Sequence, residues 1–223
     1  MPLLSQPAPK PQRPRRKTAS RALPPMAIVG ASVELRLGDT LVSAQPDGAL
    51  WIADSKTLIV SDLHLEKGSS YALRGQMLPP YDTHAALLKL TDLMLRLQPE
   101  IIVSLGDSFH DRAGPARMDA RDRELLRLLM SRCDWVWVEG NHDGRAPETL
   151  GGAFRDVLHI GSLVLRHHPT EGAAPNEIAG HLHPCARVVG RGTSTRRRCF
   201  ATDGSRIVMP AFGAFTGGLN VCD

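Results

Sequence analysis

The chain has 223 residues, and its order of segments predicts an α/β fold with two mixed sheets packed face to face and helices outside. Three observations lead there. Residues 31–65 break into short β-prone runs separated by Gly, Asp and Pro. From 57 to 139, apolar runs alternate with two stretches of helical periodicity, the pattern of layered α/β domains. After Gly152 that periodicity stops and short strands return.

Each element has its own signal. ASVELRL (31–37), TLVS (40–43) and GALWI (48–52) alternate or cluster as strands between turns. TLIV (57–60) reads as a buried strand. A helix begins at Asp82, a possible cap, and Leu87, Leu90, Met94 and Leu97 fall on one face before Pro99 closes it. IIVSL (101–105) is another buried strand. Residues 118–132 predict a second amphipathic helix with Leu125, Leu128 and Leu129 inward. DWVWVE (134–139) is a strand again. VLHI, SLVLRHH, NEIAGHLH, ARVVG, RCFAT and RIVMPA form the final meander. No internal repeat is visible.

Aromatic residues are only 4% of the chain, so aliphatic side chains must fill the core. No apolar run approaches a membrane span, and the N-terminus lacks the apolar core of a secretory signal. A cytoplasmic protein is expected. Cys133, Cys185, Cys199 and Cys222 form no CxxC pair and read as thiols in a reducing compartment.

The net charge of +4 is uneven. Lys10, Arg13, Arg15, Arg16, Lys17 and Arg21 make residues 1–25 strongly basic without a single acid. Seven prolines also fall in that stretch. Residues 1–25 are expected to be a disordered basic tail suited to polyanions, and 26–223 a single domain.

The strand ends carry the chemistry. Asp62 and His64 follow LIVS. Gly106, Asp107, His110 and Asp111 follow IIVSL. Gly140, Asn141, His142 and Asp143 follow VWVE. His167 and His168 follow SLVLR, and Gly180, His181 and His183 follow EIA. Ligands bind at the carboxyl ends of strands in α/β sheets, so five such endings point to one site. Asp, Asn and His without Cys make a hard-to-borderline donor set. About seven candidate ligands exceed what one ion with an open position needs, so two ions are expected. A bridging carboxylate holds two ions about 3.5–4 Å apart, a spacing suited to in-line displacement at phosphorus. In His-x-His both imidazoles fall on one side of the strand.

DLH, GDSFHD, GNHD, a lone His after a strand, and GHLH together resemble the calcineurin-like metallophosphoesterases over residues 57–183. DLHLEKG, GDSFHD, GNHD, HHP and EIAGHLHP are most similar to the ligase-associated DNA-damage-response endonuclease/phosphoesterase group. The resemblance implies a four-layer α-β-β-α metallophosphoesterase sandwich. It implies Asp62, His64 and His183 on one metal, Asn141, His167 and His181 on the other, and Asp107 between them. His142 would face the leaving oxygen as acid or transition-state stabiliser. His167 rather than His168 matches the ligand position. Two divalent ions are implied, manganese first, with iron, zinc, magnesium or nickel as alternatives. The implied substrate is DNA, with a DNA ligase and a helicase as pathway partners and no membrane. The chain lacks the large cap of bigger nucleases in the superfamily.

Around the site, His110 and Asp111 are candidates for orienting ligand imidazoles. His168 is a candidate beside the ligands. Arg112, Arg117, Arg121 and Arg123, with Arg187, Arg191 and Arg196–Arg198, are candidate phosphate contacts. Asp119, Asp122 and Glu124 among the first group also fit a solvated helix face. Tyr71, Tyr81 and Phe109 are candidate border residues. FGAFTGGLN (212–220) lacks the spacing and Lys of a phosphate loop. A second reading is a small-molecule phosphoesterase acting on a cyclic nucleotide, dinucleotide or nucleotide-sugar pyrophosphate. A non-catalytic scaffold is disfavoured, because all seven ligands and His142 are present.

Overall fold

A computed structural model describes residues 31–190 and 192–221. The expected basic tail, the onset of order near Met26, Arg191 and Cys222 lie outside the described residues.

The first sheet has seven strands laid side by side in chain order. β1 (Val33–Leu37), β2 (Thr40–Ala44), β3 (Leu50–Ile52) and β4 (Thr57–Val60) pair antiparallel, as short Gly- and Asp-containing turns allow. β5 (Ile101–Leu105), β6 (Asp134–Val138) and β7 (Ala153–Arg155) then join in parallel. Parallel pairing needs crossovers, and helices supply most of them. α1 (Lys67–Ala72) and α2 (Asp82–Leu97) link β4 to β5. α3 (Gly114–Arg117) and α4 (Ala120–Met130) link β5 to β6, and a 3-10 turn (Ala146–Leu150) precedes β7.

The second sheet contains β8 (Leu158–Ile160), β9 (Leu163–Arg166), β10 (Glu177–Ala179), β13 (Ala201–Thr202) and β14 (Arg206–Val208). Its order is β13-β14-β10-β9-β8. β11 (Pro184–Gly190), β12 (Thr193–Arg198) and β15 (Leu219–Asn220) form a third, three-stranded sheet. Among the described residues, no helix is long and apolar enough to cross a membrane.

Period-two alternation sorts the central strands between two cores. Leu58, Val60 and Ile102 face the helices with Leu87, Leu90, Leu126 and Trp137. Ile59, Val103 and Leu105 face the second sheet with Leu165, Ile178 and Ile207. Burying each such side chain contributes about 1.5–3 kcal/mol, which fixes the two layers in register. The helices among the described residues all fall between β4 and β7. The segment after β9 is tied back to the second sheet at Thr170, whose main chain meets Glu177 and Arg206. Buried Glu177 there accepts from Thr170 N–H at 3.1 Å, with Arg166 and Arg206 each 3.6 Å away.

Three details differ from the sequence reading. Asp82 does not cap α2; its Oδ2 accepts the Gly68 N–H at 3.0 Å and ties α1 down. α4 turns Leu126 and Leu129 inward and leaves Leu128 exposed, because Leu126 is the residue that meets the sheet. α1, α3, the 3-10 turn, β7 and β15 had no distinct signal in the sequence. The end of α2 is as read: Gln98 adopts φ 49, its N–H returns to Met94 O, and Pro99 blocks another turn.

Candidate metal centre

β4, β5 and β6 of the first sheet and β9 and β10 of the second deliver their carboxyl ends to one place. The joins are main-chain bonds. His64 N–H donates to Asp107 O at 2.9 Å, Asp62 N–H to Gly106 O at 3.2 Å, and Gly180 N–H to His167 O at 3.0 Å. The chain turns sharply on leaving each strand. Asp62, His64, Asp107, His181 and His183 all hold positive φ, between 43° and 67°. Residues with a Cβ rarely accept that conformation, and its cost is about 1–3 kcal/mol each.

All seven expected ligands converge, in two groups around one carboxylate. In the first group Asp62 Oδ1 lies 3.0 Å from His183 Nε2, and His183 Nε2 lies 3.4 Å from His64 Nε2. In the second, His167 Nε2 lies 3.0 Å from Asn141 Oδ1 and 3.3 Å from His181 Nδ1. Asp107 Oδ2 stands between them, 3.3 Å from His167 Nε2 and 3.8 Å from His64 Nε2. Its other oxygen accepts the His142 N–H at 2.9 Å. Asp62 is fixed the same way, since Oδ2 accepts Ser61 Oγ–H at 2.6 Å and His181 N–H at 3.0 Å.

These donors fit cations. Asp62 Oδ1 is buried and has no hydrogen bond of its own. His167 Nδ1 gives its proton to Leu105 O at 3.1 Å. In the neutral ring Nε2 then carries a lone pair aimed at the oxygens of Asn141 and Asp107. Lone pairs facing one space need a positive charge there. The protonation behaviour agrees. Burial lowers the His167 pKa, but Asp107 and Asp62 outweigh it and raise the ring above its ordinary value. Burial also raises Asp107, yet hydrogen bonds from His167 and His142 N–H hold it well below the usual carboxylate range. Burial pushes His64 down to about 3 against the pull of Asp62 and Asp107, which leaves it a neutral donor. Asp62, His64 and His183 form one group able to hold an ion, and Asp62, Asp107 and His167 form another. Oxygen and imidazole without sulfur suit manganese, iron, zinc or magnesium.

His142 lies at the open rim, 43% exposed, with Nε2 3.8 Å from Asp107 Oδ2. His110 stacks on it at 5.6 Å between ring centroids. His168 is exposed and its ring lies 3.8 Å from that of His181. Arg112 is exposed near Gly144. Asp111 is held by an arginine in place of an imidazole; its carboxylate takes a two-pronged bond from Arg117, 2.8 Å on each side. Burial raises the Asp111 pKa, but Arg117 brings it down to about 2. Arg117, Arg123 and Arg198 are engaged by the protein's own oxygens: Arg123 bonds Pro115 O at 2.6 Å and Arg198, though exposed, bonds Ala211 O at 2.9 Å. Phe109 is fully buried packing.

Sequence reasoning missed Ser61, and it noted Asp143 at a strand end without giving it a role. Asp143 is buried under the site, where Oδ2 accepts the Phe109 N–H at 2.9 Å. Burial and nearby Asp107 raise it to about 7 against that bond. Its place at the end of GNHD was the available signal.

A family model described as calcineurin-like phosphoesterase matches residues 55–196, more than half of the chain. The chain belongs to the calcineurin-like phosphoesterase family. It is thus a hydrolase of phosphoric esters, from a family that works with divalent metals. The crystal structure of Pseudomonas putida nuclease MPE is similar, with 29% identity, a TM-score of 0.71, and coverage of 86% of this chain and 92% of that one. A protein of unknown function from Aquifex aeolicus shares 17% identity at a TM-score of 0.41, over 57% of this chain and 78% of its own. The E. coli phosphoesterase Yfce shares 16% identity at a TM-score of 0.41, over 73% and 83%. No curated protein matches the chain.

Proposed function

We propose that this phosphoesterase hydrolyses phosphodiester bonds at a dinuclear metal centre and that its substrate is DNA. The observation that carries the dinuclear reading is the placement of Asp107 Oδ2 between two groups of donors. Asp62, His64 and His183 would hold one ion, and Asn141, His167 and His181 the other, with Asp107 shared. When bound, such ions polarise the phosphoryl group and make hydroxide available near neutral pH, and manganese is the ion we favour.

The chain's own groups do the rest. Leu105 O holds the His167 ring in the tautomer that turns Nε2 inward. His142 N–H fixes one oxygen of Asp107 and leaves the other to the ions. The exposed His142 ring is placed to give a proton to the departing alkoxide.

DNA is favoured by the 29% identity with a protein named as a nuclease and by the openness of the rim at Asn141 and His142. A small-molecule enzyme would enclose its substrate. The motif wording supports a role in DNA repair beside a ligase and a helicase, and a cytoplasmic location goes with that role. The test is Mn-dependent cleavage of labelled single-stranded, duplex and nicked DNA, with Asp107→Asn as control. Cleavage by the wild type alone is expected. If small phosphodiesters are hydrolysed and no DNA form is cut, the substrate reading fails and the small-molecule reading replaces it.

A further inference from the structure

Beside His142 a line of rings leads out of the site. His110 stacks on His142 with an interplanar angle of 24°, and Tyr71 follows at 5.5 Å from His110. The Lys67 ammonium lies 5.7 Å from the Tyr71 ring, and exposed Arg74 sits in the turn that closes α1. None of these four residues belongs to either apolar core. Among the carboxylates around it, Asp111 is paired with Arg117, Glu66 is held by Ser69 and Thr83, and Asp82 attracts Lys67 while accepting the Gly68 N–H. The patch therefore sets half-buried aromatic rings beside two cations, of which Arg74 is the exposed one.

We infer that His110 and Tyr71 form a stacking subsite for the nucleoside that leaves with the alkoxide, and that Lys67 and Arg74 hold the next phosphate. This rests on the nuclease reading and deepens it. The position follows from His142: the group it faces departs on its side, and the next ring along that side is His110. Alternation of an aromatic face with a cation is how proteins hold an unpaired base and its backbone without reading sequence. Tyr71 is a positioning residue here, since it touches a flanking nucleoside and not the reacting atoms.

Binding without turnover tests it. In EDTA, fluorescence anisotropy would follow 5′-labelled dT12 and a twelve-residue abasic strand of equal charge. Wild type should bind dT12 about tenfold or more tightly than the abasic strand, as one to two base stacks require. Tyr71→Ala should remove most of that difference, and Tyr71→Phe should keep it. Lys67→Gln should weaken both strands alike and flatten the salt dependence. If Tyr71→Ala weakens both strands equally, or neither, the subsite is overturned while the nuclease reading stands. If wild type neither binds dT12 nor cuts it with Mn2+, the nuclease reading falls and the subsite falls with it.

Discussion

Gly140 and Asp107 touch so closely that no side chain fits between them. A Cβ on Gly140 would enter the van der Waals shell of the Asp107 N and Oδ1 and lie 2.8 Å from its Cα. The glycine of GNHD is thus there for the carboxylate of another strand. Gly140→Ala should displace Asp107. Overpacking of this kind costs about 1–3 kcal/mol, and a shift near 1 Å at a reacting group costs roughly 100-fold in rate. Hydrolysis of bis(p-nitrophenyl) phosphate and thermal unfolding would measure both, and a variant as active as wild type would refute the argument.

His142 should matter to the rate and not to the ions. Its imidazole is outside both donor groups, and it holds Asp107 through its main-chain N–H, which any replacement keeps. His142→Ala should lower kcat by about 10²–10⁴ for DNA, the usual range for a lost proton donor. The loss should shrink for an ester with p-nitrophenolate as leaving group, because that anion departs without a proton. Equal losses on both substrates would assign the ring to charge stabilisation instead.

Adding Mn2+ should raise the unfolding temperature. Saturation at about 100 times Kd stabilises a fold by about 2.7 kcal/mol for each site. EDTA should reverse the shift. Asp62→Ala should abolish most of it, since buried Oδ1 faces the His183 and His167 rings without a hydrogen bond of its own. Scanning fluorimetry with and without metal decides this, and an Asp62→Ala protein that still responds fully would show that the cluster is not where the ion binds.

Lys89 should make the protein more stable in mild alkali. Its ammonium is mostly buried, 3.1 Å from Phe212 O, with Arg198 close by. Burial first, then Arg198, lowers its pKa to about 8 from the 10.5 of an open chain. Between those values the unfolded chain binds a proton that the folded one does not, so stability rises with pH across that window. Below pH 8 the cost is constant. Each unit is worth about 1.4 kcal/mol, offset in part by the hydrogen bond, so Lys89→Met should gain about 1–2 kcal/mol at pH 7. The gain should disappear near pH 10, which thermal melts across pH would show.

The sequence revealed the strands through local signals. TLIV and IIVSL are short apolar runs that read as buried strands wherever they lie. The candidate donors were legible for a related reason: five apolar runs each end in Asp, Asn or His, and the fold brings those endings together. α1 was not legible, because KGSSYA has no apolar period and is held by groups far along the chain. Asp82 reaches Gly68, and Thr83 Oγ1 takes the Glu66 N–H at 2.8 Å. Arg117 and Arg198 looked like free surface charge and proved to brace other segments through Asp111 and Ala211 O. A basic residue's partners are set by what folds beside it, and spacing does not encode that.

Five of the seven proposed ligands stand in left-handed backbone. Glycine would be more comfortable at each of those positions, so the scaffold carries them at a cost. A selection for thermal resistance alone would trade those residues away one at a time and would reward each loss. Heat-tolerant relatives that arose without pressure on turnover should therefore be sought among chains with Gly or Asn at positions 62, 64, 107, 181 and 183. Engineers seeking a hardier catalyst should spend their substitutions on the three-stranded third sheet and leave these corners strained.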